Sequence, residues 1–133
     1  MNTKKRSLVW PVLLVVTIFT LSGASRIAVP EIGLQFSRDK VAHFLVFGLL
    51  ATSLLRIPYF NNRGWRGAAA AAIITICFGG FDELRQSFTP GRSVEFADWL
   101  ADSSGAIVAV VAYRYLSPYR RILEWSLFSK RKR

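Results

Sequence analysis

The chain has 133 residues, 52% of them hydrophobic, with 18 Lys and Arg against 8 Asp and Glu and a formal charge of +10. Disorder is excluded, because chains that stay unfolded are poor in aliphatic and aromatic residues. The single Cys77 excludes a disulfide scaffold and, beside the single His43, a zinc site of the usual Cys and His composition.

A positive mean hydropathy with strong positive charge fits one membrane-embedded domain whose charges are held at the ends of its spans. The first uncharged run, Ser7 to Ser25, holds nineteen residues and is long enough to cross a bilayer. Lys4, Lys5 and Arg6 precede it, so a signal peptide ending at Ser22-Gly23-Ala24 is the alternative reading. The next two uncharged runs, Val41–Leu55 and Gly67–Phe81, hold only fifteen residues each. As helices they rise about 22 Å, short of a hydrocarbon core of roughly 30 Å. To span, they must draw in polar neighbours: Asp39 and Lys40 at the start of one, Asp82, Glu83 and Gln86 at the end of the other. A fourth run, Phe96 to Leu116, is long enough but carries Asp98 and Asp102 near its start.

With the N-terminus in the cytoplasm, the inner segments hold thirteen of the basic residues and only one acid, Glu124. The outer segments hold five basic residues and seven acids, so the two faces carry +12 and −2. That positive-inside bias predicts four transmembrane helices over about 8–25, 39–57, 67–88 and 96–116, with both termini cytoplasmic. The expected fold is therefore all-α and polytopic, a four-helix domain over 1–116 followed by a cytoplasmic interfacial segment over 117–133. The polar ends of the second, third and fourth spans then meet at the outer face.

The first span is expected to begin near Trp10-Pro11 and, lacking a polar stripe, to face lipid. The segment Arg26 to Arg38, with Pro30 and Gly33, is read as lying along the outer surface. The third span opens on Ala68–Ala72 and ends at Gly79-Gly80 or a turn or two beyond. The fourth carries Ala101, Gly105 and Ala109 four apart, a stripe suited to close helix packing. The short turn around Thr89-Pro90-Gly91 makes these two spans antiparallel neighbours. Ser117-Pro118 reads as a restart, with Ser at the N-cap and Pro in the first turn. Tyr119, Ile122, Leu123, Ser126 and Leu127 then share one side, with Trp125 and Phe128 nearby, as in a helix lying on the cytoplasmic leaflet. The basic tail Lys130–Arg133 is read as attraction to anionic lipid and not to nucleic acid.

Asp39 and His43 are i,i+4 and stack on one helix face. Asp82 and Gln86 are i,i+4, and Glu83 and Gln86 are i,i+3; Arg92 follows the turn, and Asp98 and Asp102 are one turn apart. Intramembrane ionisable residues are functional candidates by default, so the expected polar cluster comprises Asp39, Lys40, His43, Asp82, Glu83, Gln86, Arg92, Asp98 and Asp102.

At these residues the sequence resembles the VanZ-like membrane proteins. The resemblance rests on D-K-x-x-H-F at Asp39–Phe44 with Phe47-Gly48 after it, E-x-x-Q-x-F-x-P-G-R at Glu83–Arg92, and D-x-x-A-x-x-x-G at Asp98–Gly105. One departure is Asp102, where the family usually has Asn. The resemblance implies a place in the bacterial cell envelope, in the cytoplasmic membrane, and an association with resistance to the lipoglycopeptide teicoplanin; it supplies no reaction.

Three readings of the cluster follow. Lys40, His43 and Arg92 can leave an outward pocket for an anionic group, such as an envelope lipid, a peptidoglycan precursor or a lipoglycopeptide, since Arg binds carboxylate or phosphate bidentately. His43 with Glu83 or Asp98 can act as an acid–base pair on a lipid-linked precursor. The cluster can also be purely structural, with Lys40, Arg85 and Arg92 neutralising the carboxylates. No G-x-S-x-G or H-E-x-x-H occurs; a binding role is favoured over catalysis, and neither cofactor nor metal is expected. Membrane lipids are expected partners, and the small-residue stripes suggest a homo-oligomer.

Overall fold

A computed structural model describes residues 3–23, 35–91 and 94–124, with the side chains of 3–6 and 35–38 left aside. The described chain is helical apart from short connections: α1 Thr3–Ser22, α2 Gln35–Leu55, α3 Pro58–Asn61, α4 Gly64–Gln86, α5 Phe96–Tyr115 and α6 Ser117–Glu124. Residues 24–34, Arg92, Ser93 and 125–133 lie outside it, and with them most of the outer-surface segment, whose last residues 35–38 instead open α2, and Trp125, Phe128 and the basic tail.

α2, α4 and α5 form the centre, with α2 on α5 as the most extensive contact and α1 laid against α2. The pairings fix the directions. Lys40 meets Asp98, His43 meets Asp102 and Gly48 meets Ala109, so α2 and α5 run parallel. Glu83 meets Glu95, Trp99 meets Ile76 and Arg114 meets Gly64, so α4 and α5 are antiparallel, as the short turn between them required.

Small residues set the spacing. A Cβ on Gly105 would lie 2.1 Å from the Phe44 carbonyl oxygen, and one on Gly48 would lie 3.1 Å from both the Gly105 oxygen and the Ala109 Cβ. Gly105 and Ala109 of the α5 stripe are thus packed against α2. Ala51, Ala68, Ala71, Ala72, Ala106, Val110 and Tyr113 complete a core of mostly small side chains. Thr52 and Thr75 are buried but return their hydroxyls to the Gly48 and Ala71 carbonyls of their own helices, at 3.0 and 2.9 Å, so neither needs a partner across the bundle.

Gly79-Gly80 does not end α4. The pair makes room on two sides, since a Cβ on Gly79 would lie 3.0 Å from Asp102 Oδ2 and one on Gly80 3.3 Å from Trp99 Nε1. The helix continues to Gln86, which carries Asp82, Glu83 and Gln86 to the end of the bundle.

Several sequence expectations shift. α1 begins at Thr3, and Pro11 sits inside it; the bend-prone residue is tolerated within the helix instead of opening it. Leu14, Val15 and Ile18 pack on Phe47 and Leu50, while Leu8, Val12, Leu13 and Val16 stay exposed, so one side of α1 is a packing face. The one-turn α3 falls between the second and third expected spans. It is held by the Arg63 guanidinium, which donates to the Tyr59 carbonyl at 2.7 Å. Arg120 N–H donates to the Leu116 carbonyl at 3.1 Å, which makes Leu116, and not Ser117, the residue capping α6; Pro118 still falls in the first turn, where a missing N–H costs nothing. Tyr119 and Leu123 face the core, Ile122 faces outward, and Glu124 accepts from the Tyr113 hydroxyl at 2.5 Å.

Only α4 among the described helices is by itself long and apolar enough to cross a membrane; Ser7–Ser22 is a shorter apolar stretch. α2 and α5 have 21 and 20 residues, about 30 Å of rise each, but their first turns hold the charged residues of the cluster.

Because Gly105 packs against backbone that has no room to yield, Gly105→Val is expected to destabilise the bundle by roughly 1–3 kcal/mol or more, the usual penalty of overpacking. The readout is a lower melting temperature in detergent. Gly64→Ala, at a position with nothing within 4 Å but a φ of +58°, is expected to cost less, through backbone strain alone.

Candidate functional site

The polar cluster lies where the C-terminal turns of α1 and α4 meet the N-terminal turns of α2 and α5. α2 contributes Asp39, Lys40 and His43, whose spacing places them on neighbouring positions of one helical side. α4 contributes Asp82, Glu83 and Gln86 for the same reason, and α5 contributes Asp98 and Asp102 one turn apart. Asp98 stands in the first turn of α5, where the helix dipole favours an anion.

Two connected networks result. In the first, the Lys40 ammonium donates to Glu95 Oε2 at 2.7 Å and also to Asp98. His43 Nδ1 is 2.9 Å from Asp102 Oδ1, and its Nε2 is 3.9 Å from Asp98 Oδ2. The Phe47 ring lies nearly parallel to the imidazole, at an interplanar angle of 8°. Glu83 Oε2 accepts from the Glu95 backbone N–H at 3.2 Å. In the second, Asp82 Oδ1 accepts from Arg85 Nη2 at 3.0 Å and from the Ser22 hydroxyl at 2.7 Å. Arg85 also donates to the Phe19 carbonyl at 2.9 Å and to Ser22, with its guanidinium 4.0 Å over the Phe19 ring. Gln86 joins the two networks, donating to Asp82 at 3.2 Å and Glu83 at 3.4 Å.

Asp82, Glu83, Gln86, Asp98 and Asp102 are all buried. Asp39, Lys40 and His43 are half-buried. Eight of the nine expected residues therefore converge on one end of the bundle, and Arg92 lies outside the described residues. The sequence reading missed Ser22 and Glu95. Glu95 immediately precedes α5, and its acidity was the available signal. Ser22 looked like any hydroxyl in an apolar helix, and nothing in its neighbours marks it.

Among the described residues, Asp39, Asp82, Glu83, Glu95, Asp98 and Asp102 share this end of the bundle with Lys40, Arg85 and His43. Ligand atoms of His43, Glu83 and Asp102 lie within 4.8 Å of one another, and so do those of Asp39, His43 and Asp98. Beside the cluster, an open surface groove of about 330 Å³ is lined by Lys40, Val41, Phe44, Leu100, Ala101 and Ser104. It is apolar except where Lys40 and Ser104 meet it.

A family model described as VanZ/LLP1 matches residues 3–117. The chain belongs to the VanZ/LLP1 family. Family membership and the apolar α4 together make it a VanZ-like, membrane-associated protein. Comparisons with curated proteins and with solved structures give no match.

Removing one partner of a buried ion pair leaves the other charge uncompensated, at a cost of about 3 kcal/mol or more. Arg85→Ala is therefore expected to lower the melting temperature in detergent markedly. Adding Asp82→Asn to it is expected to recover most of the loss, a coupling that a double-mutant cycle reads directly.

Proposed function

We propose that α1, α2, α4 and α5 cross the bacterial cytoplasmic membrane with both termini inside, and that the polar end of the bundle receives the anionic head group of an envelope lipid. A lipid-linked peptidoglycan precursor, or the acyl-bearing lipoglycopeptide itself, has the same amphiphilic chemistry. The observation that carries this reading is the junction at Lys40, where an open apolar groove between α2 and α5 runs up to a buried polar cluster. Such a shape matches a molecule with a long apolar chain and a charged head. Binding at this site is the route by which the protein would contribute to glycopeptide resistance of the teicoplanin type.

The distribution of side chains supports the membrane placement. Carboxylates are buried at one end while Leu13, Val16, Leu45, Leu49, Ile73, Ile74, Val108 and many other large apolar side chains are exposed, the reverse of the arrangement favoured in water. At the opposite end Trp65 and Tyr115 pair at 5.6 Å, and Tyr59 lies under the Arg63 guanidinium. Exposed aromatics among Arg56, Arg63, Arg66 and Arg114 are what an inner membrane interface selects.

A second reading, acid–base catalysis on the same precursor, is favoured by one feature. The His43 ring is gripped at Nδ1 by the Asp102 carboxylate, the arrangement by which a carboxylate orients an imidazole for proton transfer. The two readings part on product. Mass spectrometry of the purified protein with a lipid-linked precursor is expected to return unaltered bound lipid if the role is binding, and a changed mass if it is catalysis.

Ala101→Trp fills the groove without touching the buried cluster. It is expected to reduce retained lipid-linked phosphate at least tenfold in native mass spectrometry, with an unchanged melting temperature; equal retention would overturn the groove reading. For the topology, a cysteine at Thr89 in a Cys77→Ser background is expected to react with an impermeant thiol reagent in intact cells. Labelling only after lysis would reverse the assignment.

A further inference from the structure

Two carboxylates in the cluster lack what the others have. Lys40 serves Glu95 and Asp98, and Arg85 serves Asp82. Glu83 and Asp102 meet no Lys or Arg among the described residues, although they are only 4% and 1% exposed. Glu83 is met by neutral donors, the Gln86 amide and the Glu95 backbone N–H. Asp102 has one oxygen against His43, and its second oxygen, Oδ2, has no hydrogen-bond donor among the described residues. That oxygen faces the space left by Gly79, where a Cβ would stand 3.0 Å from it. Buried charges are paired or coordinate a metal. A protonated His43 would supply one positive charge against two carboxylates; a divalent ion would supply both.

We propose that His43, Glu83 and Asp102 bind a first-row divalent transition-metal ion, with Mn²⁺ and Zn²⁺ as the best matched. The three ligands come from three helices, α2, α4 and α5, and their ligand atoms already lie within 4.8 Å of one another. The separation of His43 Nδ1 and Asp102 Oδ1, 2.9 Å, is that of two adjacent ligands on one ion with bonds of about 2.0–2.2 Å. Neighbouring ligands at such bond lengths stand roughly 3.0–3.5 Å apart, so the three groups, already within 4.8 Å of one another, would close on an ion by side-chain rotation. One imidazole with two carboxylates suits ions that take nitrogen and oxygen together, and disfavours soft ions that need thiolate. The alternative trio, Asp39, His43 and Asp98, competes poorly, because Asp98 is already paired with Lys40.

Three protein ligands leave coordination positions open. The ion would therefore turn an acid-rich pocket into one able to accept a phosphate oxygen, beside the ammonium of Lys40. This deepens the head-group reading and rests on that reading only for the identity of the further ligand; ion binding itself is measured without lipid.

The test uses the full chain in detergent, stripped with chelator and titrated with Mn²⁺ by paramagnetic resonance and with Zn²⁺ by elemental analysis. About one ion per chain is expected, with a rise in melting temperature on adding metal. Glu83→Gln and His43→Gln are expected to weaken binding at least tenfold and to abolish that rise, whereas Tyr113→Phe, at the opposite end of the bundle, is expected to leave both intact. If His43→Gln does not fold, the near-isosteric Glu83→Gln carries the comparison. Absence of stoichiometric metal, or equal binding by wild type and Glu83→Gln, overturns the inference. Metal bound by a chain that retains no lipid sustains this inference and overturns the head-group reading. Lipid retained by a metal-free chain that takes up no ion does the reverse.

Discussion

The structure turns on the burial of carboxylates at one end of a helix bundle whose outer surface is apolar. An ionised carboxylate taken out of water is costly unless it is paired or ligated. That cost is met by convergence, because α4 and α5 do not carry enough opposite charge at this end to satisfy their own acids. α5 supplies Asp98 and Asp102, and α2 answers with Lys40 and His43. α4 supplies Asp82 and its own partner Arg85, and α1 adds the Ser22 hydroxyl. The helices are thereby held in register at this end by polar contacts that admit little slippage.

The rest of the bundle is built differently. Its contacts are close van der Waals contacts between small side chains and backbone. Gly48 against Gly105, and the alanines of α2, α4 and α5, bring backbones together, and buried hydroxyls are satisfied within their own helices. The close approach of α2 and α5 also aims Lys40 and His43 at Asp98 and Asp102, so the packing below and the chemistry above are a single constraint. A side chain at Gly105 would push α2 off α5 and spread both networks.

The two ends of the molecule are chemically unlike. One concentrates acids inside; the other exposes Arg63, Arg66, Trp65, Tyr59 and Tyr115. α6 folds back at this second end through Tyr119, Leu123 and the Tyr113–Glu124 hydrogen bond. This asymmetry follows from the alternation of helix direction, which returns the acidic turns of α2, α4 and α5 to one end and the arginine-bearing turns to the other.

Periodicity and charge in the sequence by themselves determined the helical class, the convergence of the acidic turns and most members of the cluster. The reason is that i,i+4 spacing along one helix, as in Asp39 with His43 or Asp82 with Gln86, is a local property. Contacts across helices are not local. That Asp102 and not Asp98 lies closest to His43, that Arg85 is spent on Asp82 and Ser22, and that Glu95 binds Lys40 depend on the rotation and depth of each helix. Those are set by the glycine contacts of α2 with α5 and of α4 with Asp102, which no spacing rule encodes. Lys40, His43 and Arg92 likewise read from the sequence as free to meet an anion, whereas only the tertiary structure decided that Lys40 is already committed to Glu95 and Asp98 and that Glu83 and Asp102 meet no Lys or Arg among the described residues.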